Sequence, residues 1–447
     1  MNRTIALIVI LSASMPVFAD GPPSRYGVDA PELAHLGRYA VGVRTLHLRE
    51  SSQADVLAFD PVRRSAPPRD RELGVELWYP ARPKAGAARV VYSTRFPSEP
   101  PAPPASYSVP GIAVRDAPTA GEGFPLIIVS HGLSGNPVAM TWLTENLASK
   151  GYVVAGIRHD DPPITDRAKI VQPLLLRPLD IAYVARTLQR TLSSQHLIDA
   201  GRIALIGFSM GGYGVLTAAG ATLDPDSSVA QAVPGGLLLP YAHGGAMQDM
   251  VSITGLRAVV AISPYGGGTL AAWGADGLRS LKVPLLLIAG DHDRTVGYAT
   301  GARAFFDEAV NAPRYLLTFK GGGHSPIGYN PAPDSMRKRL WDQDWFEDPV
   351  WRKERINAIN AHFITAFLDR YVKEDETRAA YLNVPVAESS DGVWPAAAAP
   401  EAYDAYSPGP PHITVWKGFQ RGHAEGLELL QALPATPDKG GDGGLEH

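Results

Sequence analysis

Three polar residues, each placed directly beyond an apolar run, could together perform nucleophilic chemistry. Ser209 lies in GFSMGG, Asp293 in GDHDRTV and His324 in GGGHS. A serine hydroxyl is a poor nucleophile at neutral pH, and it needs a base within about 3 Å and an acid that orients the base. The order serine, acid, histidine, with each residue at the end of a strand, predicts a catalytic triad.

The acid could be Asp291 or Asp293, because both follow the run VPLLLIAG. We expect Asp293 to be the acid, since its longer reach past the strand lets the carboxylate turn back towards His324. The preceding apolar run ends in ISPYGGG and offers no carboxylate. His292 is interpreted as a solvent or hinge residue.

A tetrahedral oxyanion needs two backbone N–H donors. One should be the amide of Met210, immediately after the serine. The other should come from the loop HGLSG, where glycines flank the amide of Leu133. His131 is expected to shape this loop by hydrogen bonding. Ser209 itself needs a sharp reversal between a strand and a helix, which its small neighbours permit.

The elements that must position these residues alternate between apolar runs and helical patterns from residue 125 onwards. The predicted strands are 125–130, 152–157, 202–207, 256–263, 283–290 and 314–319. The predicted helices are 138–150, 178–194, 210–221, 300–310 and 352–372. Continuous apolar strands that alternate with helices predict an α/β fold with a mostly parallel sheet and helices on both faces.

The flanking regions follow other patterns. Residues 38–48 and 74–80 alternate apolar and polar residues, which predicts antiparallel strands at the sheet edge. Residues 51–72 and 97–110 are interpreted as loops. Residues 223–256 form either a small cap over the site or a surface loop.

The predicted organisation is a signal peptide at 1–19, a catalytic domain at 20–384 and a C-terminal extension at 385–447. The first segment has an early Arg3, an apolar stretch and small residues that end at Ala19, which is typical of an exported protein cleaved there. The extension is rich in Pro, Ala and Gly, and we expect its middle to pack on the catalytic domain and its end, 439–447, to be disordered.

Composition excludes several function classes. The formal net charge of −4 gives no basic footprint for nucleic acid. The signal peptide predicts a secreted or periplasmic protein. No later segment is long and apolar enough to span a membrane, so we expect the mature protein to be soluble. The chain has no cysteine, so a thiolate nucleophile and cysteine-bound zinc are excluded. The chemistry predicted for the triad needs no cofactor and no metal, and the composition leaves the oligomeric state open.

The motifs HGLSGN, GFSMGG, GDHDRTV and GGGHS resemble those of the α/β-hydrolase superfamily. VELWYPA, the SHGLSG loop and WKGF resemble bacterial platelet-activating factor acetylhydrolase-like and dienelactone hydrolase-like proteins. The resemblance implies that Ser209 attacks, His324 is the base, Asp293 orients it, and the Leu133 and Met210 amides bind the oxyanion. Dienelactone hydrolases use a cysteine nucleophile, so the absence of cysteine favours a general serine esterase.

The resemblance implies a small-molecule substrate with a short acyl ester, although relatives accept bulkier or polymeric esters. Tyr265 and Tyr329 are the aromatic residues expected to contact the substrate. Two alternatives stay open: an amidase or polyester hydrolase with the same triad, and a secreted binding protein that kept the fold without catalysis. A dinucleotide-binding protein is excluded because the first parallel strand leads into HGLSGN and not into a GxGxxG turn.

Overall fold

The computed structural model describes residues 26–324, 328–393, 414–420 and 422–435, and their strands form one sheet of eleven strands. The order across the sheet is β11-β10-β9-β8-β7-β5-β6-β2-β1-β4-β3. The strands are β1 Ala40–Ala54, β2 Pro68–Ala81, β3 Arg89–Phe96, β4 Ala105–Arg115, β5 Phe124–Ser130, β6 Val153–Arg158, β7 Ile198–Phe208, β8 Leu256–Ile262, β9 Leu285–Gly290, β10 Arg314–Phe319 and β11 Leu427–Ala432.

Strands β5 to β10 are mutually parallel and correspond to the six apolar runs of the sequence. Their residues alternate between two hydrophobic clusters, so that Ile127 and Val129 face one side and Leu126 and Ile128 the other. A strand buried on both faces has no polar face, which explains the continuous apolar runs. The predicted α/β fold with a mostly parallel sheet is confirmed.

Helices cover both faces of this sheet. Helices α1 and α7 pack on one face, and α2, α3 and α5 pack on the other. The helices are α1 Thr141–Ser149, α2 Val171–Ser194, α3 Met210–Ala218, α4 Ser228–Ala232, α5 Ala304–Glu308, α6 Leu340–Gln343, α7 Lys353–Tyr371 and α8 Ala379–Leu382. A π-helical turn over Tyr298–Arg303 leads directly into α5.

Strands β1 and β2 pair antiparallel, as predicted, but they are longer than the sequence indicated. They do not form the predicted sheet edge, because β4 pairs parallel with β1 and β3 lies at the edge. β1 continues to Ala54, β2 already begins at Pro68, and β4 begins at Ala105. The interpretation of 51–72 and 97–110 as loops is therefore wrong at the ends of these segments. These strand ends leave one face in solvent, so polar residues and prolines are tolerated where a buried strand would exclude them.

Helix α7 buries one apolar face, with Ile356, Ile359, Phe363 and Phe367 each at most 1% exposed. His362 lies on the same helix, is fully buried, and accepts a hydrogen bond from the Leu33 N–H at 3.1 Å. This histidine therefore has a structural role in packing the N-terminal segment on α7.

The segment 223–256 packs along the outer side of α2. The side chain of Arg186 on α2 donates to the carbonyl of Met250 at 2.7 Å, and that of Gln189 donates to Thr254 at 2.8 Å. These contacts lie on the flank of the sheet and do not involve Ser209. That this segment forms a cap stays a prediction.

Parts of the C-terminal region pack on the sheet. Strand β11 pairs antiparallel with β10, and the rings of Trp416 and Phe419 contact Phe363 of α7 with centroid distances of 5.9 and 5.8 Å. The predicted division at residue 385 stays a prediction. The predicted signal peptide and the disordered end lie outside the described residues. None of the described helices combines the length and the apolar character needed to cross a membrane.

Candidate active site

Ser209 occupies a strained reversal between β7 and α3. Its backbone has φ 53° and ψ −115°, a conformation that L-residues rarely adopt. Three backbone hydrogen bonds hold it: its N–H donates to the carbonyl of Ile262 at 2.9 Å, and its carbonyl accepts from the N–H groups of Tyr265 at 3.0 Å and Tyr213 at 3.1 Å. These hydrogen bonds hold the backbone on both sides of Ser209 and so maintain its strained conformation.

The glycines around Ser209 are required by close backbone contacts. A Cβ on Gly207 would lie 2.2 Å from the carbonyl oxygen of Gly211. A Cβ on Gly211 would lie 2.1 Å from the carbonyl oxygen of Ser130, at the end of β5. The first turn of α3 can therefore approach both its own strand and the loop after β5 only because these side chains are absent.

The structure brings Ser209, His324 and Asp293 into one hydrogen-bonded chain. His324 Nε2 lies 3.0 Å from Ser209 Oγ, and His324 Nδ1 lies 2.7 Å from Asp293 Oδ2. Because a carboxylate only accepts, Nδ1 carries the proton and Nε2 is free to accept from the serine hydroxyl. The chain can therefore move a proton from the hydroxyl to the imidazole.

The surroundings of Asp293 favour the ionised form of its carboxyl group. Its second oxygen, Oδ1, accepts from the N–H groups of Thr295 at 2.9 Å and Val296 at 3.1 Å. Burial alone would raise the pKa of this carboxyl, but the hydrogen bond and charge of His324 and the two amides outweigh burial and lower the pKa. The carboxylate is therefore charged at neutral pH and can stabilise a protonated His324.

The two neighbouring candidates have other roles. Asp291 Oδ1 accepts from the N–H of Gly321 at 2.6 Å, which ties together the turns after β9 and β10. His292 is exposed to solvent. The structure thus brings Asp293, and not Asp291, to His324.

Leu133 and Met210, the residues expected to bind an oxyanion, lie on adjacent segments. Met210 begins α3, and Leu133 is half-buried in the loop that follows β5. In the part of the chain that the structure describes, neither backbone N–H donates a hydrogen bond to another residue. Both are therefore free to donate to a substrate.

Tyr265 and Tyr329 pack against different hydrophobic clusters of the protein. Tyr265 is half-buried beside Ser209 and lines an open groove of about 920 Å³. Tyr329 is 1% exposed and packs on Phe208 at a centroid distance of 5.0 Å, while Phe208 packs on His324 at 5.3 Å. In this structure Tyr329 supports the histidine through Phe208. Substrate contact by either tyrosine stays a prediction.

Sequence reasoning missed a buried cluster of charged and histidine side chains beneath the loop after β5. Arg177 and Asp161 form an ion pair with side chains only 1% and 5% exposed. His131, which was expected to shape the loop, donates from Nδ1 to the Gly132 carbonyl at 2.7 Å. Burial, reinforced by the charge of Arg177, lowers the pKa of His131 to about 4, so it is neutral. A signal was present, since Arg177 and Asp180 interrupt an apolar helical run.

The fold and this site define a serine hydrolase with the α/β-hydrolase architecture. A family model described as PET hydrolase-like matches residues 111–236. Cutinase 2 of Thermobifida cellulosilytica is 25% identical over 265 residues, which cover 59% of this chain and 75% of that protein. Cutinase cut1 of Thermobifida fusca is 25% identical, and the match covers 59% of this chain and 61% of that protein.

Among solved structures, a ferulic acid esterase from Streptomyces cinnamoneus has the same fold, with a TM-score of 0.50 and 21% identity. The match covers 78% of this chain and 93% of that chain. The fold, the family match and these relatives together support an α/β-hydrolase serine esterase, that is, a carboxylic ester hydrolase. The narrower resemblance to platelet-activating factor acetylhydrolases stays a prediction.

Substituting Asp293→Asn should lower kcat for ester hydrolysis by about 10⁴-fold, because an amide both loses the charge and favours the wrong imidazole tautomer. The matched control is Asp291→Asn, two residues away on the same turn, which should retain most of the parent kcat. Steady-state kinetics on p-nitrophenyl acetate would measure both variants. Equal losses in the two variants would contradict the assignment of Asp293.

Proposed function

We propose that Ser209, His324 and Asp293 hydrolyse carboxylic esters through an acyl-enzyme, with short acyl chains as the main substrates. The observation that carries this proposal is the unbroken chain of hydrogen bonds from Ser209 Oγ to Asp293, with distances of 3.0 and 2.7 Å. Nucleophile, base and orienting acid are each within hydrogen-bond distance of the next, as the mechanism requires.

In the first half of the reaction, Ser209 Oγ attacks the ester carbonyl carbon while its proton passes to His324 Nε2. The carbonyl oxygen becomes an oxyanion, and His324 then protonates the alcohol oxygen as the C–O bond breaks. The alcohol leaves and the acyl group remains on Ser209. Asp293 stabilises the imidazolium during this transfer.

In the second half, water replaces the alcohol. His324 takes a proton from water, the resulting hydroxide attacks the acyl carbon, and His324 returns the proton to Ser209 Oγ as the acid leaves. The amides of Leu133 and Met210 would donate to the oxyanion in both halves. Their free N–H groups on adjacent segments support this role.

The groove beside the triad is a candidate site for the acyl or alcohol group. Two of its lining segments contact the triad directly, since the Tyr265 amide binds Ser209 and the Thr295 and Val296 amides bind Asp293. Its apolar lining includes Leu270, Trp273 and Phe305. An apolar groove whose lining segments are hydrogen-bonded to Ser209 and Asp293 supports an ester with an apolar substituent.

A polyester hydrolase is the second candidate. The family model that matches residues 111–236 is described as PET hydrolase-like, and the relatives are named cutinases. The groove is open to solvent and its lining includes three consecutive glycines, Gly266 to Gly268, which present no side chain to an extended substrate. Amide cleavage by the same triad and a non-catalytic binding role have no comparable support.

Ester turnover by the chain without residues 1–19 should depend on Ser209. We expect hydrolysis of p-nitrophenyl acetate and butyrate, with slower hydrolysis of the octanoate, and loss of all three in Ser209→Ala because the nucleophilic oxygen is gone. Ser263→Ala is the matched control, since Ser263 also follows a parallel strand with positive φ of 41° and has no role in the proton path. It should retain most of the parent turnover.

If Ser209→Ala retained the parent rate, the proposed mechanism would be wrong. Release of soluble acids from an aliphatic polyester film by the parent, but not by Ser209→Ala, would favour the polyester hydrolase over the short-chain esterase.

Filling the groove should change acyl preference without stopping catalysis. Ala299 is exposed on the π-helical turn and lines the groove, so Ala299→Trp should lower kcat/KM for the octanoate by about tenfold relative to the acetate. Ala88→Trp, on the turn between β2 and β3, is the control for a surface tryptophan. An unchanged acetate-to-octanoate ratio would exclude the groove as the acyl site.

We also propose that the protein is exported and cleaved after Ala19. Intact mass spectrometry of protein expressed from the full chain in a secreting host should give a species that begins at Asp20. A mature species that retains residues 1–19 would contradict export by cleavage.

A further inference from the structure

The loop that runs from Ser130 to Gly135, here loop 130–135, is held from below by Arg177 of helix α2. Arg177 is buried, and its guanidinium reaches three consecutive residues of the loop. Nη1 donates to the Ser130 hydroxyl at 3.0 Å and to the His131 carbonyl at 2.5 Å, and Nη2 donates to the Gly132 carbonyl at 3.2 Å. One side chain thus fixes two adjacent peptide groups of the loop.

The carbonyl of Gly132 is the most heavily bonded group in this loop. Besides Arg177, it accepts from His131 Nδ1 at 2.7 Å and from the Gly135 N–H at 3.0 Å. The C=O and N–H of a trans peptide point in opposite directions. Because the Gly132 C=O is fixed towards Arg177, the N–H of the same peptide group, which belongs to Leu133, must point away from the guanidinium.

Asp161 completes the arrangement from the turn after β6. It pairs with Arg177 Nη2, accepts from Arg177 Nε at 3.2 Å, and accepts from the Ser134 N–H at 2.9 Å. Burial would raise the pKa of this carboxyl, but the charge of Arg177 outweighs burial and lowers the pKa, so Asp161 is ionised. The peptide groups on both sides of Leu133 are therefore fixed by one buried ion pair.

We infer that Arg177 and Asp161 are positioning residues, which orient the Leu133 amide for the oxyanion that forms on the substrate of Ser209. This inference rests on the proposed esterase mechanism. Neither side chain contacts the reacting atoms. Their effect is on the direction of one N–H, and an oxyanion donor that is misdirected loses most of its value.

A second buried pair in the same cluster serves as the control. Arg71 pairs with Asp180, and both side chains are at most 3% exposed. Asp180 also accepts from His159 Nδ1 at 2.7 Å, and His159 Nε2 contacts the Ser130 hydroxyl at 3.0 Å. Arg71 thus matches Arg177 in burial and charge, and removing either guanidinium leaves a buried carboxylate without its partner. Arg71 makes no hydrogen bond to a backbone group of loop 130–135.

The test compares Arg177→Met with Arg71→Met in the full mature chain. We expect Arg177→Met to lower kcat on p-nitrophenyl butyrate by about 10²-fold with little change in KM, because the lost interaction acts only on the transition state. Ser209 adds to the carbonyl of a trifluoromethyl ketone and forms a tetrahedral adduct with an oxyanion. The affinity of Arg177→Met for this ketone should fall together with its kcat. Affinity for the corresponding methyl ketone should not change. Arg71→Met should lose stability but keep kcat within about threefold of the parent.

A second readout does not depend on catalysis. Hydrogen exchange at the Ser134 and Gly135 amides, followed by mass spectrometry of peptides that cover the loop, should accelerate in Arg177→Met and stay at the parent rate in Arg71→Met. If Arg177→Met folds poorly, Asp161→Asn, which keeps the shape of the side chain, should give the same direction of change in kcat and in exchange at Ser134.

Four outcomes separate the positioning role from the proposed function. Equal losses of kcat in Arg177→Met and Arg71→Met, or unchanged exchange of the loop in Arg177→Met, would overturn the positioning role. A rise in KM with kcat unchanged would also overturn it, since that result indicates a loss of ground-state binding. A parent that hydrolyses no ester would overturn the proposed function instead, and the exchange data would then decide the role of Arg177.

Discussion

The strained backbone at Ser209 is the constraint on which the site depends. A non-glycine residue with φ 53° and ψ −115° costs about 1–3 kcal/mol, and the surrounding structure must hold it there. Here the ends of β8 and the segment after it provide the bonds, through Ile262 and Tyr265. This backbone conformation places the hydroxyl beyond the carboxyl end of β7. Asp293 and His324 lie at the same edge of the sheet, because they follow the parallel strands β9 and β10.

The same constraint explains why the neighbouring loop must be held so firmly. Gly211 lets the start of α3 touch the backbone of Ser130, so the nucleophile and loop 130–135 form one packed unit. Burying Arg177, Asp161, Arg71 and Asp180 beneath this unit is costly unless every charge is paired. The ion pairs are not a source of net stability by themselves. They convert a glycine-rich loop, which would otherwise be free to change conformation, into a fixed set of backbone dipoles.

Much of this arrangement could be predicted from the sequence, because catalytic groups in a parallel sheet follow the strands. Apolar runs located β5 to β10, and the residues beyond them gave Ser209, Asp293 and His324. The ends of β1, β2 and β4 were missed because half-exposed strands tolerate the polar residues and prolines that otherwise indicate loops. Arg177 was missed for a different reason. From sequence alone, a charged residue in an amphipathic helix is assigned to the solvent-facing side, because the partner that would allow its burial is not known. Asp161 lies 16 positions earlier in the chain, and only the fold brings the two together.

The most direct test of the account is reaction of the native protein with a fluorophosphonate, followed by peptide mass spectrometry. We expect stoichiometric modification of Ser209 alone among the described residues, because its half-buried hydroxyl is hydrogen-bonded to His324, whereas the Ser130 hydroxyl, which contacts His159, is fully buried. Modification should be abolished in unfolded protein, where Ser209 and His324 are separated. Labelling of another residue, or no labelling of the folded protein, would contradict the assignment of Ser209 as the nucleophile.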